Sequence, residues 1–266
     1  MTCIQYFSDL KLDNKSYIPK IFPKLSSFEK SQNTNICILA GDVGCPFRKP
    51  YWKLLSQVNF SFDHVILILG NTEFYGAEIP LTIQYVEMEI KQKKLSNVYL
   101  LNNSCIQIKN IIILGCTLWS NIPQFAEKEI LTKINDYKQI KNFTISEQNT
   151  FHKNSVKWLS ERLISKETNK IYVVVTHHSP IFESVNNPKF RSSLTNYAFG
   201  TDLHDLVLLS DYWIYGHTHF NYRHDCSTKN KTTDNLIYSK LRTNQYGNKE
   251  EPLDMFDHNA EIIIKF

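Results

Sequence analysis

The stretch Tyr212-Trp213-Ile214-Tyr215-Gly216-His217-Thr218-His219 joins an apolar run to two histidines across a single glycine. Four aromatic or β-branched residues in a row read as a buried strand, and the glycine ends it. Side chains at alternate positions of an extended segment share a face, so His217 and His219 are expected to point the same way. The same order of apolar run, break and metal-competent side chain recurs upstream. Cys3 to Phe7 leads to Ser8-Asp9, Ile36 to Ala40 to Gly41-Asp42, Val65 to Leu69 to Gly70-Asn71, and Ile171 to Thr176 to His177-His178.

Val98 to Leu101 and Ile111 to Gly115 read as further strands. Between the strands lie amphipathic segments. In Glu147 to Lys166, the residues Phe151, Trp158, Leu159 and Leu163 fall on one face at helical spacing, and Glu78 to Leu95 reads as a second helix. Strands alternating with helices predict α/β layers, with helices outside a sheet. Leu236 to Leu241 and Ala260 to Phe266 look like strands without an intervening helix, as in a second sheet or an added edge. Asn187 to Thr201 and Asp225 to Asp234 are polar enough for loops, yet neither divides the chain. One domain over residues 1–266 is the economical reading.

Ligand sites in α/β sheets form beyond the carboxyl ends of the strands, where five of these side chains would meet. Two aspartates, an asparagine oxygen and several imidazoles make a mixed oxygen and nitrogen set, which suits Mn, Fe or Zn better than Ca or Mg. Each has a bland alternative. Asp9 is a turn or cap residue, Gly41-Asp42 and Gly70-Asn71 are turn dipeptides, and His177 with His178 is one core and one surface histidine. Their joint occurrence at successive strand ends favours a metal site. His64, His152 and His204 read as packing or surface residues, and Arg191 and Arg223 as surface cations within reach of a phosphate.

The net charge of +4 over 266 residues is small and its lysines are scattered, which gives no footprint for nucleic acid. No apolar run reaches the ~20 residues of a membrane span, and the first residues carry no leader pattern. Six cysteines lack any C-x-x-C spacing. A reducing, cytoplasmic address follows as the expectation, and plentiful Lys, Asn and Ile suggest an AT-rich genome such as that of an intracellular bacterium, a protist or a large virus.

The runs Ile4 to Leu12, Leu39-Ala40-Gly41-Asp42, Leu69-Gly70-Asn71-Thr72-Glu73, Val175-Thr176-His177-His178-Ser179-Pro180 and Tyr215-Gly216-His217-Thr218-His219 together resemble the calcineurin-like metallophosphoesterase family. Thr117-Leu118-Trp119-Ser120, Ala198 to Leu203 and Thr243-Asn244-Gln245-Tyr246-Gly247 resemble its compact, single-domain bacterial-type branch. The resemblance implies a four-layer α/β/β/α sandwich with a two-metal site. Asp9, Asp42 and His219 would hold the first ion, and Asp42, Asn71, His177 and His217 the second, with His178 as the alternative to His177. It also implies a hydrolase acting on a small phosphomonoester or phosphodiester through attack of a metal-bound hydroxide.

Two positions depart from the family pattern. Lys11 stands where the family has a metal-ligating histidine, and a protonated lysine has no lone pair for a metal. Thr72 stands where the family has the histidine thought to assist the leaving group. A lysine beside Asp9 and Asp42 would relieve their mutual repulsion and stand in for the first ion, which predicts one tightly held metal. The competing expectations are a catalytically impaired binding or scaffolding module with a protein partner, and a nuclease, which the modest charge disfavours.

Overall fold

Alternate residues of the central strands belong to different cores. Cys37 and Leu39 pack with one set of side chains and Ile36 and Ile38 with another. Tyr172 and Val174 likewise part from Val173 and Val175. A strand covered on both faces must be apolar throughout, so these runs show no polar alternation. The computed structural model describes residues 1–14, 34–183, 193–229, 236–248 and 252–265, and among them the strands form two sheets.

In the first sheet β1 (Thr2–Phe7), β2 (Thr34–Ala40), β3 (His64–Ile68) and β4 (Val98–Leu100) run parallel and adjacent. The second contains β5 (Ser104–Ile108), β6 (Ile111–Cys116), β7 (Ile171–Thr176), β8 (Tyr212–Tyr215), β9 (His224–Lys229) and β10 (Leu236–Thr243), in the order β5-β6-β7-β8-β10-β9. The last strand, β11 (Glu261–Ile264), returns to the first sheet, antiparallel to β1. The two tail strands expected from the sequence therefore go to opposite sheets.

The inner faces of the sheets share a core of Ile4, Ile36, Ile38, Ile66, Ile113 and Val175, among others. Full burial of each such side chain contributes about 1.5–3 kcal/mol. Helices α1 (Lys49–Ser61) and α2 (Ile79–Gln92) cover the outer face of the first sheet, where Leu54, Leu55 and Val86 join Leu39 and Leu67. Two short helices, α3 (Glu127–Lys133) and α4 (Asp136–Gln139), precede α5 (Ile145–Ile164). Leu159 and Leu163 of α5, with Val207 of α6 (His204–Val207), cover the second sheet at Leu114, Val174 and Trp213. The order helix, sheet, sheet, helix is the four-layer sandwich expected above.

Three readings need correction. Residues 225–229, expected in a loop, belong to β9, whose polar sequence pairs antiparallel with β10 along the sheet edge. Tertiary pairing outweighs composition there. The long helix begins at Ile145 rather than Glu147, because Thr144 accepts the Glu147 N–H and Glu147 accepts that of Thr144, a capping box that fixes the first turn. Between Asn187 and Thr201, residues 194–198 form a 3-10 helix, while Arg191 and the other expected loop positions 187–192 and 230–234 lie outside the described residues. Among the described residues no helix is long and apolar enough to cross a membrane.

Candidate metal centre

The carboxyl ends of β1, β2, β3, β7 and β8 converge. At the seam between the sheets, the Ser8 N–H donates to the Asn244 carbonyl and the Tyr246 N–H to the Ser8 carbonyl, each at 3.0 Å. From the second sheet the His217 N–H donates to Asp9 Oδ2 at 2.9 Å. Asp9, Lys11, Asp42, His217 and His219 all have positive φ, between 45° and 68°. Such conformations are uncommon for residues other than glycine and cluster where function over-determines the backbone. They also correct one expectation, since His217 and His219 do not share a face of an extended segment. Each sits in a left-handed turn, His217 buried and His219 partly exposed.

Glu73 holds the turns in place. Its fully buried carboxylate accepts the N–H groups of Asp42 (3.0 Å), Val43 (2.6 Å), Gly44 (3.2 Å) and Gly70 (2.8 Å), binding the turn after β2 to the turn after β3. Burial, reinforced by the charge of Asp42, pushes the Glu73 pKa up to about 7. Gln245 does the same within the second sheet, tying the turn after β8 to the end of β10: its Oε1 accepts the His219 N–H at 2.7 Å and its Nε2 donates to Thr218 and Thr243.

Asp42, His177 and His217, all buried, bring one potential ligand atom each within 4.8 Å of one another. His177 Nδ1 lies 2.9 Å from the Ala40 carbonyl. A carbonyl only accepts, so Nδ1 bears a proton and Nε2 faces the site, 3.1 Å from Asn71 Oδ1 and 3.3 Å from Asp42 Oδ1. Both ring nitrogens therefore face oxygen acceptors. Burial opposes protonation of His177, but Asp42 overrides it and raises the pKa to about 9. His217 is oriented by the Ala198 carbonyl, 3.3 Å from its Nε2, which leaves Nδ1 with its lone pair, and its ring stacks on Phe199 at 4.8 Å. Burial, together with the neighbouring His178 and His177, depresses its pKa well below the usual value. Backbone carbonyls that orient imidazoles are the common outer support of metal sites. A carboxylate, two oriented imidazoles and an amide oxygen fit one divalent transition ion.

The other half of the expected site is filled differently. The Lys11 ammonium makes a buried ion pair with Asp42 Oδ2. Burial would lower the pKa of Lys11, but the charges of Asp42 and Asp9 outweigh it and hold the group above its ordinary value. Burial would likewise raise the pKa of Asp42, and Lys11 and His177 instead hold it well below the usual carboxylate range. Asp9 Oδ1 is buried with no hydrogen-bond partner, and His219 Nε2 stands 3.4 Å away. Thr72 gives its N–H to Asp42 Oδ1 at 2.9 Å and lines the open side.

His178 does not reach this group. Its ring is fully buried 4.1 Å from that of His217 and 5.2 Å from that of Trp119, both ring nitrogens lack partners, and burial keeps it neutral by depressing its pKa. His152 is a packing residue, its Nδ1 3.3 Å from the Leu118 and Trp119 carbonyls. Arg223 pairs with Asp257 at the surface. A cleft of about 580 Å³ opens over the site, with Lys11, Arg48, Asn71, Thr72, Asp136 and His219 in its wall. Ala198 and Phe199, from the Asn187 to Thr201 stretch, reach it. The sequence reading missed Glu73, Asp136 and Gln245. Glu73 could have been found in the Gly70-Asn71-Thr72-Glu73 run, and Gln245 in the quoted Thr243-to-Gly247 stretch. Asp136 offered no signal.

A two-sheet α/β sandwich that gathers carboxylates and imidazoles at its strand ends is of the class whose site could hold a divalent metal ion. The sequence profile of the calcineurin-like phosphoesterase family matches residues 6–221, and the chain belongs to that family. A protein of Acanthamoeba polyphaga mimivirus is 29% identical over 271 residues, covering 92% of this chain and 94% of its own. The phosphopantetheinyl hydrolase of Mycobacterium tuberculosis has a similar fold, with a TM-score of 0.64 at 15% identity, covering 92% of this chain and 89% of its own. The family is typically dependent on divalent metals.

Proposed function

We propose that this chain is a metal-dependent phosphoesterase that hydrolyses a small phosphomonoester or phosphodiester in the cytoplasm with one tightly held Mn, Fe or Zn ion. One observation carries the reading. Asp42, His177 and His217 converge, buried, beside the Asn71 oxygen, while the Lys11 ammonium already engages the other oxygen of Asp42. Asp42, Asn71, His177 and His217 would hold the ion, with Asp9 and His219 beside it. When bound, such an ion supplies Lewis acidity toward a phosphoryl oxygen and lowers the pKa of water.

The chain's own residues account for the rest. Lys11 keeps a positive charge between Asp42 and Asp9, so the two carboxylates coexist without a second ion. The same charge lies in the cleft wall, where it favours an arriving phosphate. The Thr72 backbone steadies Asp42, but its hydroxyl donates no proton to a leaving group at neutral pH.

The test is metal analysis of the purified chain beside a Lys11→His, Thr72→His double variant, with a Mn²⁺-supported hydrolysis screen of both. One ion per native chain, hydrolysis by the native chain, and two ions per variant chain are expected. Two ions at full occupancy in the native chain would sink the one-metal reading. The departures at Lys11 and Thr72 also favour a second reading, a binding module derived from a phosphoesterase. It wins if only the double variant hydrolyses substrate.

A further inference from the structure

An asparagine side chain has two ends of nearly equal shape, and only its oxygen can ligate a cation. What the amide nitrogen touches therefore decides whether Asn71 can serve the ion, and nothing in the Gly70-Asn71-Thr72-Glu73 run settles it. Asn71 Nδ2 donates to Asp136 Oδ1 at 2.7 Å, and the Tyr75 hydroxyl donates to the same oxygen at 2.7 Å. Tyr75 Oη also lies 3.4 Å from Asn71 Nδ2. Asp136 Oδ1 accepts both bonds, so with Asp136 in place the amide nitrogen is held outward and Oδ1 is turned toward His177 Nε2, 3.1 Å away.

Asp136 opens the four-residue α4, 65 positions from Asn71, and is only 3% exposed. It makes no ion pair among the described residues, and a carboxylate buried without one is costly. A prop between α4 and the turn after β3 could use an uncharged group. Fixing the amide requires an acceptor with no donor of its own.

We infer that Asp136, steadied by Tyr75, is a positioning residue that sets the rotamer of Asn71 so that its oxygen faces the metal. The inference rests on the metal reading above. It asks what an apolar substitution does and whether a ligand with no wrong end repairs it.

Mn²⁺ affinity by calorimetric titration and the melting temperature of the metal-free chain are measured for the native chain, Asp136→Leu, and Asn71→Asp combined with Asp136→Leu. Outer supports of metal ligands are typically worth about 10- to 100-fold in affinity. Asp136→Leu is expected to bind Mn²⁺ weaker by that factor, without a fall in the metal-free melting temperature. The double variant should recover most of the loss, because a carboxylate at position 71 presents the same oxygen in either orientation. Native affinity in Asp136→Leu overturns the inference. So does weakened binding that the double variant fails to restore, which would make Asp136 a structural prop. If the native chain itself binds no Mn²⁺, the metal reading falls and this inference with it.

Discussion

Thr72 shapes the chemistry by what it lacks. Its side chain stands in the cleft wall one residue from Asn71, with its N–H committed to Asp42, and a hydroxyl is a far weaker general acid near neutral pH than an imidazolium. General acid catalysis is typically worth about 10²- to 10⁴-fold in rate. The chain should therefore hydrolyse nitrophenyl esters, whose leaving groups depart without a proton, about 10²-fold or more faster than alkyl phosphates. Rates against a series of aryl and alkyl esters should fall steeply with leaving-group pKa, and Thr72→His should flatten the slope. A shallow slope in the native chain would contradict this. The candidate ligand residues were readable because each follows an apolar run, and the Lys11–Asp42 pair was readable because a cation beside two carboxylates relieves their repulsion. Asp136 was not, because it lies in a polar stretch, and only the folded chain brings it to Asn71. Which of the His177 and His178 rings faces Asn71 was equally closed to sequence, and it is His177.

Among the elements, the central strands were legible for a physical reason: burial on both faces leaves an uninterrupted apolar run. The edges were not. In β5 the residues alternate between more and less exposed positions, and β9 is nearly all polar, so both depend on a partner strand for their conformation. Helix α1 carried a signal that was passed over, Pro50 in its first turn with Tyr51, Leu54, Leu55 and Val58 at helical spacing. The contact of β8 with β1 across the two sheets gives a prediction at this scale. A Cβ on Gly216 would lie 2.6 Å from Ser8 Oγ and 2.7 Å from Asp9 Oδ2, so Gly216→Ala must displace the Ser8 and Asp9 side chains. Overpacking of this kind costs about 1–3 kcal/mol. Thr144→Ala, which breaks the α5 capping box, should cost about 1 kcal/mol. Thermal melts should show both losses, while Mn²⁺ titration should show weakened binding only in Gly216→Ala. Equal Mn²⁺ affinity in the two variants would mean that the sheet-to-sheet contact does not set the site's geometry.

At the scale of the whole molecule, the candidate ligands come from both halves of the sandwich. Asp9, Asp42 and Asn71 follow strands of the first sheet, and His177, His217 and His219 follow strands of the second. An ion held among them therefore cross-links the two sheets, and unfolding must release it. A ligand that binds only the folded chain stabilises it by RT ln(1 + [L]/Kd), about 2.7 kcal/mol at a hundredfold excess over Kd. In domains of roughly 150–250 residues each kcal/mol moves the melting temperature by about 2–4 °C, and this chain is slightly longer at 266 residues. Saturating Mn²⁺ should then raise the melting temperature by about 5–10 °C, and a chelator should reverse the rise. His217→Ala removes a ligand from the second sheet while leaving Lys11 on Asp42, so it should abolish most of the metal-dependent shift. If Mn²⁺ leaves the native melting curve unmoved, or if the shift survives in His217→Ala, the ion is not held between the sheets. The converging side chains would then be a relic of the family's site.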